Sequence, residues 1–218
     1  MFDQISKCPV LRGIEPGLLE IIFQDIHFNI KSFEKESVIA NAGDICAHLM
    51  ILLEGEVRGE MMNFSGNVVM IETISAPRPI APAFLFGENN RFPVTVVANS
   101  KIRVIYIPRS EVLKLFLKNQ TVLENYLNIL CTRGQFLSRK VKLLSLDNLK
   151  QRIAFYLLEH RDAHNDKRTT QQELSEILGV TRPALTRSLL QLKKEKIIDY
   201  NRDSIRIIDK ERLNRLLL

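Results

Sequence analysis

At Pro108 the hydrophobic pattern turns from strand-like to helical, and that change restricts the chain to a β-rich unit followed by helices. Before it, over residues 30–107, the runs FEKESVIANAGD, LMILLEGEVRGEMM, NVVMIETI, VTVVANS and IRVIYIP are short, rich in Val and Ile, and cut by Asn, Gly, Asp and Pro. They read as strands joined by tight turns, with NAGD (41–44) and EGEV (54–57) at turn positions, so an antiparallel jelly-roll barrel or sandwich is expected. After it, Leu113, Phe116, Val122, Leu123, Tyr126, Leu127, Leu130, Leu137, Val141 and Leu144 recur at three- and four-residue steps. This predicts one long helix over 109–145, with Gly134 as its weak point. A small barrel cannot cover so long an apolar stripe; a second copy of the same helix can, which predicts a parallel homodimer. A helix folded back as a hairpin, broken near KNQT (118–121), is the competing reading. Leu18, Leu19, Ile22 and Phe23 follow Pro16 at helical spacing and predict a short helix opening the chain.

The last third holds the most specific pattern. A helix NLKQRIAFYLLEH and a polar connector RDAHNDKR lead into TTQQELSEILGVTRPALTRSLLQLKKEKII (169–198), which reads as two helices around a tight turn. Thr170 followed by Glu173 is a capping box, and Leu174, Ile177 and Leu178 share an apolar face. Gly179 lets the chain reverse through a left-handed conformation, and Val180 packs inside. Thr181 is the expected cap of the second helix, whose first turn accepts Pro183 because the missing N–H would be unpaired there. With Leu185, Leu189 and Leu192 inward, Arg182, Pro183, Thr186 and Arg187 face outward. Two guanidinium forks so placed suit the O6 and N7 of guanine in a major groove. KKEK (193–196) would lie near phosphates, and NRDSIRIID (201–209) reads as a turn and strand forming a wing.

Charge supports a polyanionic partner at this end. Residues 148–218 carry 15 Lys and Arg against 10 Asp and Glu, and so most of the net +6 of the chain. The three cysteines, Cys8, Cys46 and Cys131, are odd in number and far apart, as expected of reduced thiols. No paired His with a carboxylate stands at ligand spacing on the strands, and no nucleophile has a matched base, so neither a metal site nor an enzyme is expected. No run approaches the ~18 apolar residues of a membrane span, and MFDQISKCPVLRG lacks the pattern of a signal peptide. A cytoplasmic location without membrane partners follows.

These features together resemble the Crp/Fnr family of bacterial transcription regulators over essentially the whole chain. NAGDICAHLMILLEGEVRGEMM resembles the first strands of the family's cyclic-nucleotide-binding-type roll; RIAFYLLEH and GVTRPALTRSLLQLKKEKII resemble its winged helix. The resemblance implies an α+β protein in three parts: a sensory β-roll over 1–108, a dimerisation helix over 109–145, and a winged helix-turn-helix over 146–218. It implies a homodimer on a palindromic operator in double-stranded DNA, with RNA polymerase as a further partner if the protein activates. Arg182 and Arg187 match the base-reading arginines. Thr170 and Thr181 match positions that meet phosphates, and Gln171 lies beside Thr170 in the expected interface. Pro183 replaces a Glu that accepts a hydrogen bond from a base.

The resemblance also singles out IAPAFLFGENNRFPVTVVA (80–98), where relatives that bind cyclic nucleotides clamp ribose and phosphate. Ala81-Pro82 stands for the opening Gly-Glu and Phe92-Pro93 for the closing Arg-Ser, while Arg91 is out of register. Proline removes N–H donors and phenylalanine supplies no charge, so the expected effector is not cyclic AMP. Leu137-Ser138 aligns with the position that meets the purine. The effector pocket that the resemblance implies is Ala81, Pro82, Phe84, Phe86, Arg91, Phe92 and Pro93 with Leu137 and Ser138. Either these apolar residues, with Leu85, simply close a core, or they frame an apolar ligand or haem. Met61, Met62, Met70, His27, His48 and Cys46 are the available haem ligands. Outside transcription, the competing reading is a regulatory module whose roll and C-terminal helices dock a protein partner.

Overall fold

A computed structural model describes residues 1–63, 65–160 and 166–217. The chain divides into two compact units, Met1–Arg133 and Gly134–Leu218.

The first unit opens with α1 (Phe2–Ile5) and α2 (Pro16–Gln24), the latter starting on its proline. The strands follow: β1 (Asn29–Phe33), β2 (Val38–Ala40), β3 (His48–Glu54), β4 (Glu56–Met62), β5 (Val68–Ser75), β6 (Arg78–Ile80), β7 (Thr95–Ala98) and β8 (Ile102–Pro108). They form two antiparallel sheets, ordered β1-β8-β3-β6 and β2-β7-β4-β5. β3 explains why the unit has two cores. Its side chains alternate, so Met50 and Leu52 enter the roll interior with Phe92, Val96 and Val104, while Leu49, Ile51 and Leu53 meet the helices through Leu19, Phe23, Val112 and Tyr126. A strand buried on both faces reads as a continuous apolar run, as LMILL does.

Two expectations change here. The helix predicted whole over 109–145 is two helices, α3 (Arg109–Lys118) and α4 (Gln120–Leu144), separated by Asn119 in extended conformation. Asn119 can break the helix because it restarts one: its Oδ1 accepts from the Val122 N–H at 3.3 Å, as a cap side chain does. The interruption falls within KNQT. The compact units divide inside α4, whereas the pattern set that helix apart as a part of its own. In addition, α1 precedes the helix expected to open the chain, and β6 lies on a stretch with no strand pattern of its own.

The second unit holds α5 (Leu149–His160), β9 (Asp166–Arg168), α6 (Gln171–Leu178), α7 (Arg182–Lys194), β10 (Ile198–Tyr200), β11 (Ser204–Ile207) and α8 (Lys210–Arg215). β10, β11 and β9 form an antiparallel sheet in that order. The end of the polar connector is thus strand β9, and residues 161–165 lie outside the described residues. Leu174, Leu178, Leu185, Leu189 and Leu192 close the core against Ile153, Leu157, Ile198 and Ile205.

Candidate nucleic-acid interface

The start of α6 is fixed by a reciprocal pair of bonds. The Thr170 hydroxyl accepts from the Glu173 N–H at 3.2 Å, and Glu173 Oε2 accepts from the Thr170 N–H at 2.9 Å. The backbone bond from Thr170 is the main reason the Glu173 carboxyl titrates below its ordinary range. α6 ends at Gly179, with φ 66° and ψ 38°, which reverses the chain toward α7.

Thr181 occupies the cap position of α7 in extended conformation, but its side chain makes no cap hydrogen bond. A cap oxygen accepts from the second or third helical N–H, and the second residue here is Pro183, which has none. Its hydroxyl stays on the exposed surface. Beyond it, Leu185, Leu189 and Leu192 are fully buried, while Arg182, Pro183 and Arg187 are exposed. Thr186 departs from the expected outward placement. It is half-buried on the flank toward α6, its hydroxyl 3.0 Å from Gln171 Oε1 and 3.0 Å from the Arg182 carbonyl oxygen.

These helix starts enclose an open concavity. Thr170, Gln171 and Gln172 line it from α6, Arg182, Pro183, Thr186 and Arg187 from α7, and Arg202 from the β10–β11 turn. Every residue predicted to face DNA lines it except Thr181. Arg202 and Gln172 were missed. The signal for Arg202 was NRDS between two strands: Asn201 Oδ1 accepts from the Asp203 and Ser204 N–H groups, both at 2.9 Å, and this tight turn puts Arg202 at its tip. Among the described residues, no acidic side chain pairs with Arg182, Arg187 or Arg202. Within KKEK, Lys193 pairs with Asp199 at 2.5 Å and lies over the Tyr200 ring. Lys193 thus braces the wing.

In the first unit, Ala81 adopts φ 47° and ψ 42° and opens a 3-10 turn, Pro82–Phe84. The apolar residues after it part ways: Phe84 and Phe92 join the roll interior, whereas Leu85 and Phe86 join the helical core. Phe86 packs 5.8 Å from the Tyr126 ring, with the Arg109 guanidinium over its face. The Tyr126 hydroxyl donates to the Pro82 carbonyl at 2.6 Å, and burial pushes its pKa up to about 12, so it remains a donor. Arg91 is exposed and donates to the Gly43 carbonyl at 2.7 Å; Pro93 is exposed, and Leu137 and Ser138 belong to the second unit. The haem-ligand candidates are spread over several elements. Met61, Met62 and Met70 lie exposed on β4 and β5, and the His27 side chain is 87% exposed. Cys46 is buried, its thiol near the His48 carbonyl, and His48 packs edge-on against Tyr106.

Two domain families match the chain, a cyclic nucleotide-binding domain over residues 30–119 and a Crp-like helix-turn-helix domain over residues 151–216. Among relatives, the protein named Probable transcriptional regulator flp from Lacticaseibacillus casei is 23% identical over 187 residues, 83% of this chain and 84% of that protein. The cAMP-activated global transcriptional regulator CRP of Pasteurella multocida (strain Pm70) is 24% identical over 188 residues, covering 82% and 90%. The solved structure of Thermus thermophilus Catabolite Activator Protein superposes with TM-score 0.57 at 18% identity, covering 96% of this chain and 98% of that one, a likeness of fold. A transcriptional regulator from Thermotoga maritima matches 58% of this chain and 97% of its own, at 27% identity and TM-score 0.54. These are domains and relatives of regulators, not of enzymes. With a cyclic nucleotide-binding-type roll followed by a Crp-like helix-turn-helix, this chain belongs to the Crp/Fnr family of DNA-binding transcription regulators.

Proposed function

We propose that the protein acts in the bacterial cytoplasm as a homodimer that reads a palindromic operator through α7, governed by an effector in the roll other than cyclic AMP. The observation that carries the reading is the set of three arginines, Arg182, Arg187 and Arg202, without acidic partners among the described residues, around one concavity at two helix N-termini. Such a surface has unspent hydrogen-bond donors and positive charge, which phosphates and guanine edges satisfy. A protein-docking face would carry apolar anchors, and this concavity has only Pro183. Dimerisation is supported by α4. Leu127, Leu130, Gly134, Leu137, Val141 and Leu144 follow alternating three- and four-residue steps, and Leu137 and Val141 are 54% and 68% exposed. Two copies would place the recognition helices about one helical turn apart on DNA, ~34 Å. RNA polymerase is the further partner if the bound dimer activates.

For the effector, the support is chemical. A cyclic phosphate requires a charged fork and N–H donors, yet Arg91 is engaged by Gly43 and two prolines occupy the turn. Fluorescence anisotropy on an operator selected from random duplexes tests the DNA reading. Affinity should fall steeply with salt, and Arg187→Ala should lose about 1–3 kcal/mol of discrimination at one base pair per half-site. Salt-insensitive binding, or unchanged base preference in Arg187→Ala, would refute this placement of the recognition helix.

A further inference from the structure

Thr186 has more acceptors within reach than it has hydrogens to give. A hydroxyl carries one hydrogen, yet Thr186 Oγ1 lies 3.0 Å from each of two carbonyl oxygens, Gln171 Oε1 and the main-chain oxygen of Arg182. The Arg182 carbonyl belongs to the residue four positions earlier in α7, the usual acceptor for a threonine hydroxyl within a helix. If the hydrogen goes there, the hydroxyl offers Gln171 only lone pairs, and the group that can meet them is an amide N–H. Half a turn about the last side-chain bond exchanges the nitrogen and oxygen of a glutamine, and the hydrogen-bond network decides between the two. The balanced chain runs from Gln171 Nε2 to Thr186 Oγ1 to the Arg182 carbonyl.

That choice turns the Gln171 carbonyl oxygen outward, beside the guanidinium donors of Arg182, Arg187 and Arg202. Arg182, Arg187 and Arg202 have no acceptor atoms, and Pro183 has no polar side-chain atom. The Thr170 hydroxyl is engaged in the capping box, and Gln172 donates its Nε2 N–H to Glu176 on its own helix, which ties that side chain, with its remaining carbonyl oxygen, along α6 rather than against α7. Guanidinium donors read guanine O6 and N7 but cannot select the exocyclic amino group of adenine or cytosine. We propose that Thr186 is a positioning residue that holds the Gln171 carbonyl oxygen toward the DNA. Gln171 then accepts a hydrogen bond from a base amino group in the major groove. The assignment rests on the DNA-binding reading above and deepens it. It gives the protein the acceptor that Pro183 cannot supply, from the first helix of the pair rather than the second.

The test is selection of bound sequences from a randomised duplex library by wild type, Gln171→Ala, Thr186→Val, Thr186→Ser and Arg187→Ala. Gln171→Ala and Thr186→Val should lose about tenfold in discrimination at the same base pair of each half-site. Thr186→Ser, which keeps the hydroxyl, should retain that preference, and Arg187→Ala should lose preference at a different pair. Uniform weakening on all sequences by Gln171→Ala, with its preferences intact, would mean a phosphate contact and overturn the assignment. So would a Thr186→Val profile that keeps the preference lost in Gln171→Ala. If wild type enriches no sequence, the DNA-binding reading itself fails, and this inference with it.

Discussion

Gly55 turns the chain from β3 into β4 at φ +80°, and a Cβ there would stand 2.5 Å from the Lys101 carbonyl oxygen and 2.6 Å from Ser100 Oγ. Gly179 also has a positive φ, +66°, but a Cβ there would meet nothing within 4 Å. Gly179→Ala therefore carries only backbone strain, about 1 kcal/mol, whereas Gly55→Ala must also displace main chain and should cost several times more. Urea denaturation of the two variants gives the order; equal costs would show that the Lys101 approach does not fix the turn. Glu173 offers a pH test at the same scale. Its folded pKa is depressed, so its stabilising effect is complete above the ordinary glutamate value of ~4.3 and disappears as pH falls through the folded value. Glu173→Gln should be less stable than wild type at neutral pH, and the difference should close as pH drops from about 5 toward 2. A difference independent of pH would mean that the cap does not depend on the carboxylate charge.

At the scale of elements, α4 carries the sharpest expectation. A glutamate in the middle of its exposed stripe would be harmless in a monomer and would bury like charges in a parallel pair. Val141→Glu should shift the protein from dimer to monomer in sedimentation and weaken binding to a full operator by at least ~100-fold through lost avidity. A dimer that survives would move the interface elsewhere. The elements also show what a sequence can and cannot reveal. α6 and α7 were legible because their signals are local: the Thr170–Glu173 box, Gly179, and leucines at helical spacing. β6 was not, because Arg78–Ile80 is a strand only through its pairing with β3. The unbroken apolar stripe suggested one helix where Asn119 makes two, since a single extended residue that is itself the cap leaves the spacing almost intact. Thr186 shared the exposed period of Arg182 and Arg187, but periodicity places a residue on a face and cannot tell that a neighbouring helix has engaged its hydroxyl.

Across the whole molecule, each compact unit has its own hydrophobic core, so ligand linkage can be read unit by unit. A ligand that binds only folded protein stabilises it by about 2.7 kcal/mol at a hundredfold excess over its Kd. Operator DNA should raise the unfolding temperature of the unit that contains α6 and α7. An effector should raise that of the roll, in proportion to its fit to the surroundings of Ala81 and Phe92. On the proposed reading, cyclic AMP fits them poorly. Its phosphate would have to recruit Arg91 away from the Gly43 carbonyl and find N–H donors in a turn where Pro82 and Pro93 have none. Cyclic AMP at about 1 mM should therefore leave the unfolding temperature of the roll unchanged, and haemin, whose porphyrin face is apolar, is the informative second ligand in the same calorimetric scan. A rise with cyclic AMP would show that the roll binds it, and would overturn the reading of the effector despite the two prolines.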